Sequence, residues 1–153
     1  AVNLEPGGWG KAPGRMDKIC ILRNKVSYVL TPLCVTLSDD NTMGRLLVED
    51  LEARGITRMA LSVKSWGNAP TDCVVMRRCY MEFDGIDDPA LPAWFENRPT
   101  DQWPVFPVWG MYFRNVKKVD VQDVKLFVKG KEYRKAWMVD NVKKHNLNVV
   151  DVH

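Results

Sequence analysis

Apolar and polar residues alternate through most of this chain, and the alternation returns at a fixed interval. Five segments share one pattern: two apolar positions one residue apart, then two intervening residues, then a small or apolar position and a further apolar one. They are Ile19-Ile21-Asn24-Val26, Leu46-Val48-Leu51-Ala53, Val74-Met76-Cys79-Met81, Val119-Val121-Val124-Leu126 and Leu147-Val149-Val152. Their starts lie 27, 28, 45 and 28 residues apart, the long interval being one 28-residue unit plus an insertion of 17. Alternation with period two predicts strands, not helices. The doubled gap before the third position predicts a corner, after which the apolar side still faces inward. A second set of strands recurs between the first: Leu33-Val35-Leu37, Met59-Leu61-Val63, Met111-Phe113-Val116 and Trp137-Val139-Val142. Each unit is therefore expected to hold at least two strands and a short third. The best helical stretch, Val48 to Arg54, alternates more like a strand.

Strands that return in the same order with no crossover helix predict stacked coils, each too thin to bury its own apolar face. The fold expected is all-β, a right-handed parallel β-helix of about five coils. Residues 1–14, rich in Gly and Pro, read as an irregular segment; the coils fill 15–153, with an inserted loop at about 82–107. An antiparallel sandwich would need strands every 8–12 residues joined by hairpin turns. No Asn-Gly occurs, and Gly67-Asn68 and Asp84-Gly85 stand beside longer polar loops. The chain opens on Ala and closes at Val152-His153 within a strand-like pattern. On that reading it is expected to be the C-terminal part of a longer solenoid.

Charge narrows the partners. Twenty-two Lys and Arg against nineteen Asp and Glu leave a net charge of +3 over 153 residues, too weak for a nucleic-acid footprint. No apolar run approaches the roughly 20 residues of a membrane-spanning helix, and the first 20 residues lack the apolar core of a signal peptide. Neither nucleic acid nor membrane is an expected partner. Cys20, Cys34, Cys73 and Cys79 contain no CxxC pair, and only two histidines accompany them, so neither a metal nor another cofactor is expected. Four cysteines allow three disulfide pairings; as free thiols they are expected to be buried as small hydrophobes.

The stretch Trp109-Gly110-Met111-Tyr112-Phe113-Arg114-Asn115-Val116-Lys117-Lys118-Val119-Asp120-Val121-Gln122-Asp123-Val124 resembles the last coils of polygalacturonase-like enzymes, glycoside hydrolase family 28 and its bacterial relatives. Tyr133 to Val142 is similar to the coil that follows in those proteins, and Lys18 to Asn24 has their strand-and-asparagine shape. The likeness covers roughly residues 15–153. It implies part of a glycoside hydrolase acting on plant-type, including pectic, polysaccharide by paired carboxylates, in an extracellular or periplasmic protein. The family's signatures (Asn-Thr-Asp, Asp-Asp after glycine, Gly-His-Gly, Arg-Ile-Lys) are not intact here, so no catalytic residue is carried over. The rival expectation is a non-catalytic β-helix module that binds glycan or completes another chain's fold, with the remaining N-terminal coils or another chain as partner.

Asp39 and Asp40 are the candidate acid–base pair, against the alternative of a solvated turn whose carboxylates bond the backbone. Asp87-Asp88 before Pro89 carries the same two readings. The insertion is the most functional-looking segment, because long loops in compact folds tend to carry function. It holds Trp94, Phe95, Trp103 and Phe106, with Trp109 just beyond, beside Glu96, Arg98 and Asp101. Trp94, Trp103, Trp109 and Arg114 are the candidate saccharide-binding residues: flat rings stack on pyranose faces, and arginine holds a carboxylate bidentately. The competing readings are packing for the aromatic residues and a salt bridge to a neighbouring coil for Arg114. The lysines of the last coils read as a solvated face that blunts the sheet edge.

Overall fold

In the computed structural model, residues 1–5, 14–37, 41–65, 70–96 and 106–152 are described. Among these described residues, ten strands and one short helix follow in the order β1 (Val2–Leu4), β2 (Arg15–Leu22), β3 (Lys25–Val29), β4 (Leu33–Leu37), β5 (Thr42–Glu49), β6 (Glu52–Ile56), β7 (Leu61–Ser65), β8 (Thr71–Phe83), α1 (Leu91–Glu96), β9 (Val108–Val128) and β10 (Lys135–Val152). Every strand pairing is parallel. The chain is a parallel β-helix of about five turns.

Each coil contributes to three sheets in turn. Sheet 1 stacks β1, β4, β7 and the first parts of β9 and β10. Sheet 2 stacks β2, β5 and the first part of β8 on the middle of β9 and β10. Sheet 3 stacks β3, β6 and the ends of β8, β9 and β10. Inward residues meet in one core that includes Val35, Val63 and Phe113 from sheet 1, Leu46, Val74 and Val119 from sheet 2, and Ala53, Met81 and Leu126 from sheet 3.

The doubled gap in the pattern is a corner built on one residue. Arg23, Asp50, Arg78 and Asp123 occupy it in successive coils, all in the left-handed region at φ between 50° and 54°. One such residue turns the strand from sheet 2 to sheet 3 and keeps the apolar side inward. The ladder continues through the corner, where the Arg23 N–H donates to Glu49 O at 2.9 Å and the Asp50 N–H to Arg77 O at 3.1 Å. In the fourth and fifth coils the sheet 1 to sheet 2 corner is made the same way by Asn115 and Asn141.

The expected interior ladder holds for four of its five members: Ile19 pairs Leu46, Leu46 pairs Val74 and Val74 pairs Val119. Leu147 does not continue it. His145 stands opposite Val119, and Leu147 opposite Val121. The fifth coil already follows the fourth at 26 residues there, because a residue is dropped between Lys135 and Trp137, where the register shifts. The left-handed corner residue is dropped further on, between Leu147 and Val149, with no positive φ there. A 28-residue spacing carried onto that coil therefore misplaces its side chains by two positions. The shift also puts the polar residues His145 and Asp151 at registers that face inward in earlier coils, opposite Val119 and Leu126.

Both ends of the stack are less covered than its middle. Met16, Ile19, Val26 and Val29 at one end, and Val139, Val142, Leu147 and Val149 at the other, are only partly buried against the core. Ile19 is half-buried and Ile21 is 9 % exposed. Within residues 1–14, expected to be irregular, Val2–Leu4 instead forms β1 and pairs with β4; residues 6–13 lie outside the described residues.

Candidate functional site

The insertion runs from the end of β8 to the start of β9 and carries α1. Among the described residues several contacts fix it to the coils, and three bear on the site. Ile86 makes a parallel bridge to Glu132. Phe106 stacks on Tyr112, an outward residue of sheet 1, with ring centroids 5.1 Å apart. The third contact is a fully buried ion pair, in which Arg134 binds Glu132 and donates to Phe106 O at 3.0 Å and Val108 O at 3.3 Å. Burial alone would raise the Glu132 pKa. Hydrogen bonds from the Arg134 side chain and from two backbone N–H groups outweigh it and hold the carboxyl below its usual value.

Anchored in this way, α1 stands beside the first part of β10 and closes a cleft of about 790 Å³. Phe95, Tyr133 and Trp137 supply its rings, Pro92, Val108 and Val139 its aliphatic wall, and Glu96, Lys135 and Asp151 its charges. Trp137 is 37 % and Tyr133 45 % exposed, so both keep ring surface for a ligand. The volume lies within the range of small-molecule sites, and an apolar wall with a few polar groups is their usual composition.

The expected site residues are not gathered there. Trp109 is 1 % exposed and meets Phe83 edge-on with centroids 5.3 Å apart, so it is core and offers no face to a sugar. Trp94 lies edge-on to Phe95 at 5.0 Å on α1, outside the residues that line the cleft. Trp103, Asp39 and Asp40 lie outside the described residues.

Arg114 faces outward from sheet 1 and bridges to Asp140 of the next coil at 3.4 Å, as its salt-bridge reading held. Tyr112 also donates to Asp140, at 3.4 Å. Burial under Phe106 pushes the Tyr112 phenol up to about 12. Lys64, beside Arg114 in register, sits over the Phe106 ring at 4.7 Å, and burial lowers its pKa.

Asp88 takes the turn reading, whereas among the described residues Asp87 bonds side chains and not the backbone. The Ala90 N–H donates to Asp88 at 2.9 Å, while Lys131 and Tyr133 hold Asp87. All four cysteines are free thiols, but only Cys79 is buried; Cys20 is exposed, and Cys34 and Cys73 are intermediate. The expectation of buried thiols fails for those three because they point outward from their strands. No cluster of possible metal ligands occurs among the described residues.

Glu96 was among the insertion's polar residues, but Tyr133, Trp137 and Asp151, which the sequence missed as site residues, come from the fifth coil and the segment leading into it. Their alternation was visible, but the register that aims them at one cleft was not. Comparison with family models, curated proteins and solved structures finds no match, so no family assignment is supported.

Proposed function

We propose that the chain is the glycan-binding part of a polysaccharide-active β-helix protein. The observation that carries this reading is the cleft under α1, where exposed Trp137 and Tyr133 rings lie beside Glu96, Lys135 and Asp151. Pyranose rings stack on such faces through their C–H groups, while carboxylates accept hydroxyl hydrogen bonds and lysine adds a charge-assisted one. An extracellular or periplasmic location goes with a polysaccharide ligand.

Titration of the protein with neutral and uronic oligosaccharides, followed by calorimetry, tests the reading. Binding is expected at one site per chain, with Trp137→Ala weakening it at least tenfold and leaving the melting temperature within a few degrees. No saturable binding of any oligosaccharide would overturn it. Release of reducing ends that is lost in Glu96→Gln or Asp151→Asn would extend the reading to hydrolysis by that pair.

A second reading is favoured by a separate observation. Trp137 and Val139 occupy registers that face inward in earlier coils, opposite Met111 and Phe113, and β10 pairs only with β9 among the described residues. A strand from another chain, laid on β10, would cover both and fill the cleft. In that case the calorimetry shows no sugar site, and sedimentation shows a complex.

A further inference from the structure

The outer face of sheet 2 carries a feature that the cleft does not use. Lys18, Arg45, Cys73, Lys118 and Lys144 stand in consecutive register across all five coils. Adjacent strands lie about 4.8 Å apart, so the row spans roughly 19 Å in a straight line. Its four cations are exposed, and none makes an ion pair among the described residues. The face's own carboxylates are engaged elsewhere. Asp17 is held by Arg15, Asp72 by Arg15 and Lys117, and Glu49 by Arg78. Asp120 takes amide hydrogen bonds from Gln122 and Asn146.

This row works against the fold. Lys18 lies directly beside Arg45, and Lys118 beside Lys144, and like charges on neighbouring strands repel. Elsewhere the coils stack opposite charges, as at Lys25–Glu52 and Arg78–Asp50. We infer that the row is a docking track for a linear anionic polysaccharide, whose repeated negative groups follow the line of cations and relieve their repulsion. The shape selects the partner. A planar anionic surface would also meet Asp17, Asp72, Asp120 and Glu49 on the flanking rows, whereas a single extended chain avoids them. Single-stranded nucleic acid would want aromatic rings for base stacking; the row beside the cations holds Cys20, Leu47, Val75, Asp120 and Asn146.

The track lies on another face from the cleft and does not depend on it. The test uses the full chain with heparin, polygalacturonate and single-stranded DNA as probes, each at low and physiological salt. Binding of at least one polysaccharide is expected, weakening as salt rises. The double variant Arg45→Glu/Lys118→Glu turns both like-charge neighbours into opposite ones. It should lose polysaccharide binding more than tenfold while melting higher than the native protein. The control Arg58→Glu/Lys125→Glu makes the same change in net charge away from sheet 2 and should bind as the native protein does. Equal loss in both double variants, tighter binding of DNA than of either polysaccharide, or no polysaccharide binding at low salt would each overturn the proposal. The two polysaccharides separate a sulfated from a carboxylate chain as the source of the anions.

Discussion

A non-glycine residue at a left-handed corner costs conformational energy, of order 1–2 kcal/mol for most side chains and less for asparagine. This helix accepts that cost in every coil and offsets it with side-chain contacts between neighbouring corners. Arg78 chelates Asp50 at 2.8 and 3.2 Å and also binds Glu49, which holds the Asp50 carboxyl below its usual pKa. Asn115 donates to Ser65 O at 2.6 Å and accepts from Asn141 at 2.6 Å. Replacing Asn115 with alanine removes both bonds and leaves a Cβ where φ is 54°. The loss expected in chemical denaturation is about 2–3 kcal/mol, at about 1 kcal/mol per hydrogen bond plus the strain. Asn115→Gly loses the bonds but not the conformational fit, so it should cost roughly 1 kcal/mol less. Equal costs for the two variants would mean that the corner is not strained.

Among elements, the insertion depends on one buried pair. Arg134 and Glu132 have side chains only 2 % and 0 % exposed. Removing one partner of such a pair leaves an unpaired buried charge and typically costs about 3–5 kcal/mol. Arg134→Met should therefore destabilise strongly and make segment 84–107 susceptible to limited proteolysis, since Phe106 O and Val108 O lose their donor. Glu132→Gln together with Arg134→Met removes both charges and should recover more than half of that loss. Recovery fails if the arginine acts mainly through the two backbone carbonyls. The pair also shows what the sequence could express. The strands of sheets 2 and 3 were legible because their side chains alternate on a 27–28-residue period, and the corner because it breaks that alternation in the same place each time. The helix at Leu91–Glu96 was not legible: six residues with a proline carry too little periodicity, and it forms where the insertion is pinned from outside by Arg134. For Trp109 the sequence left saccharide binding and packing both open; it is core, and alternation from Met111 and Phe113 already places it inward. Neither the cleft nor the cationic row is local in sequence. Each arises only when coils 25 or more residues apart are set in register.

Across the whole molecule, coils are tied by ion pairs that reach beyond nearest neighbours. Asp72 in the third coil binds Arg15 of the first at 3.1 Å and Lys117 of the fourth at 2.6 Å. Arg15 crosses the second coil at Gly44, where an added Cβ would lie 3.0 Å from its guanidinium and 2.5 Å from Asp17 O. Hydrogen bonds from Lys117 and then Arg15 hold the Asp72 carboxyl below its ordinary value, and Lys129 does the same for Glu82. A carboxyl with a depressed folded pKa binds its proton less readily in the folded state than in the unfolded one. Its stabilisation is complete above the ordinary carboxylate range near pH 4 and is lost as pH falls through the folded value. At the other limit, the Tyr112 phenol is raised to about 12, so its contribution is intact below pH 10 and lost as pH climbs from there towards 12. Unfolding free energy is therefore expected to be level from about pH 5 to 9 and to fall on both sides. Asp72→Asn should lower the plateau only modestly, because the bridge is partly exposed and screened, and should make the acid limb shallower without touching the alkaline one. Tyr112→Phe should do the reverse. Urea titrations of both variants at pH 3.5, 7 and 11 decide the matter: an acid limb unchanged by Asp72→Asn would show that the long bridge from the first coil to the fourth does not contribute to holding the stack together.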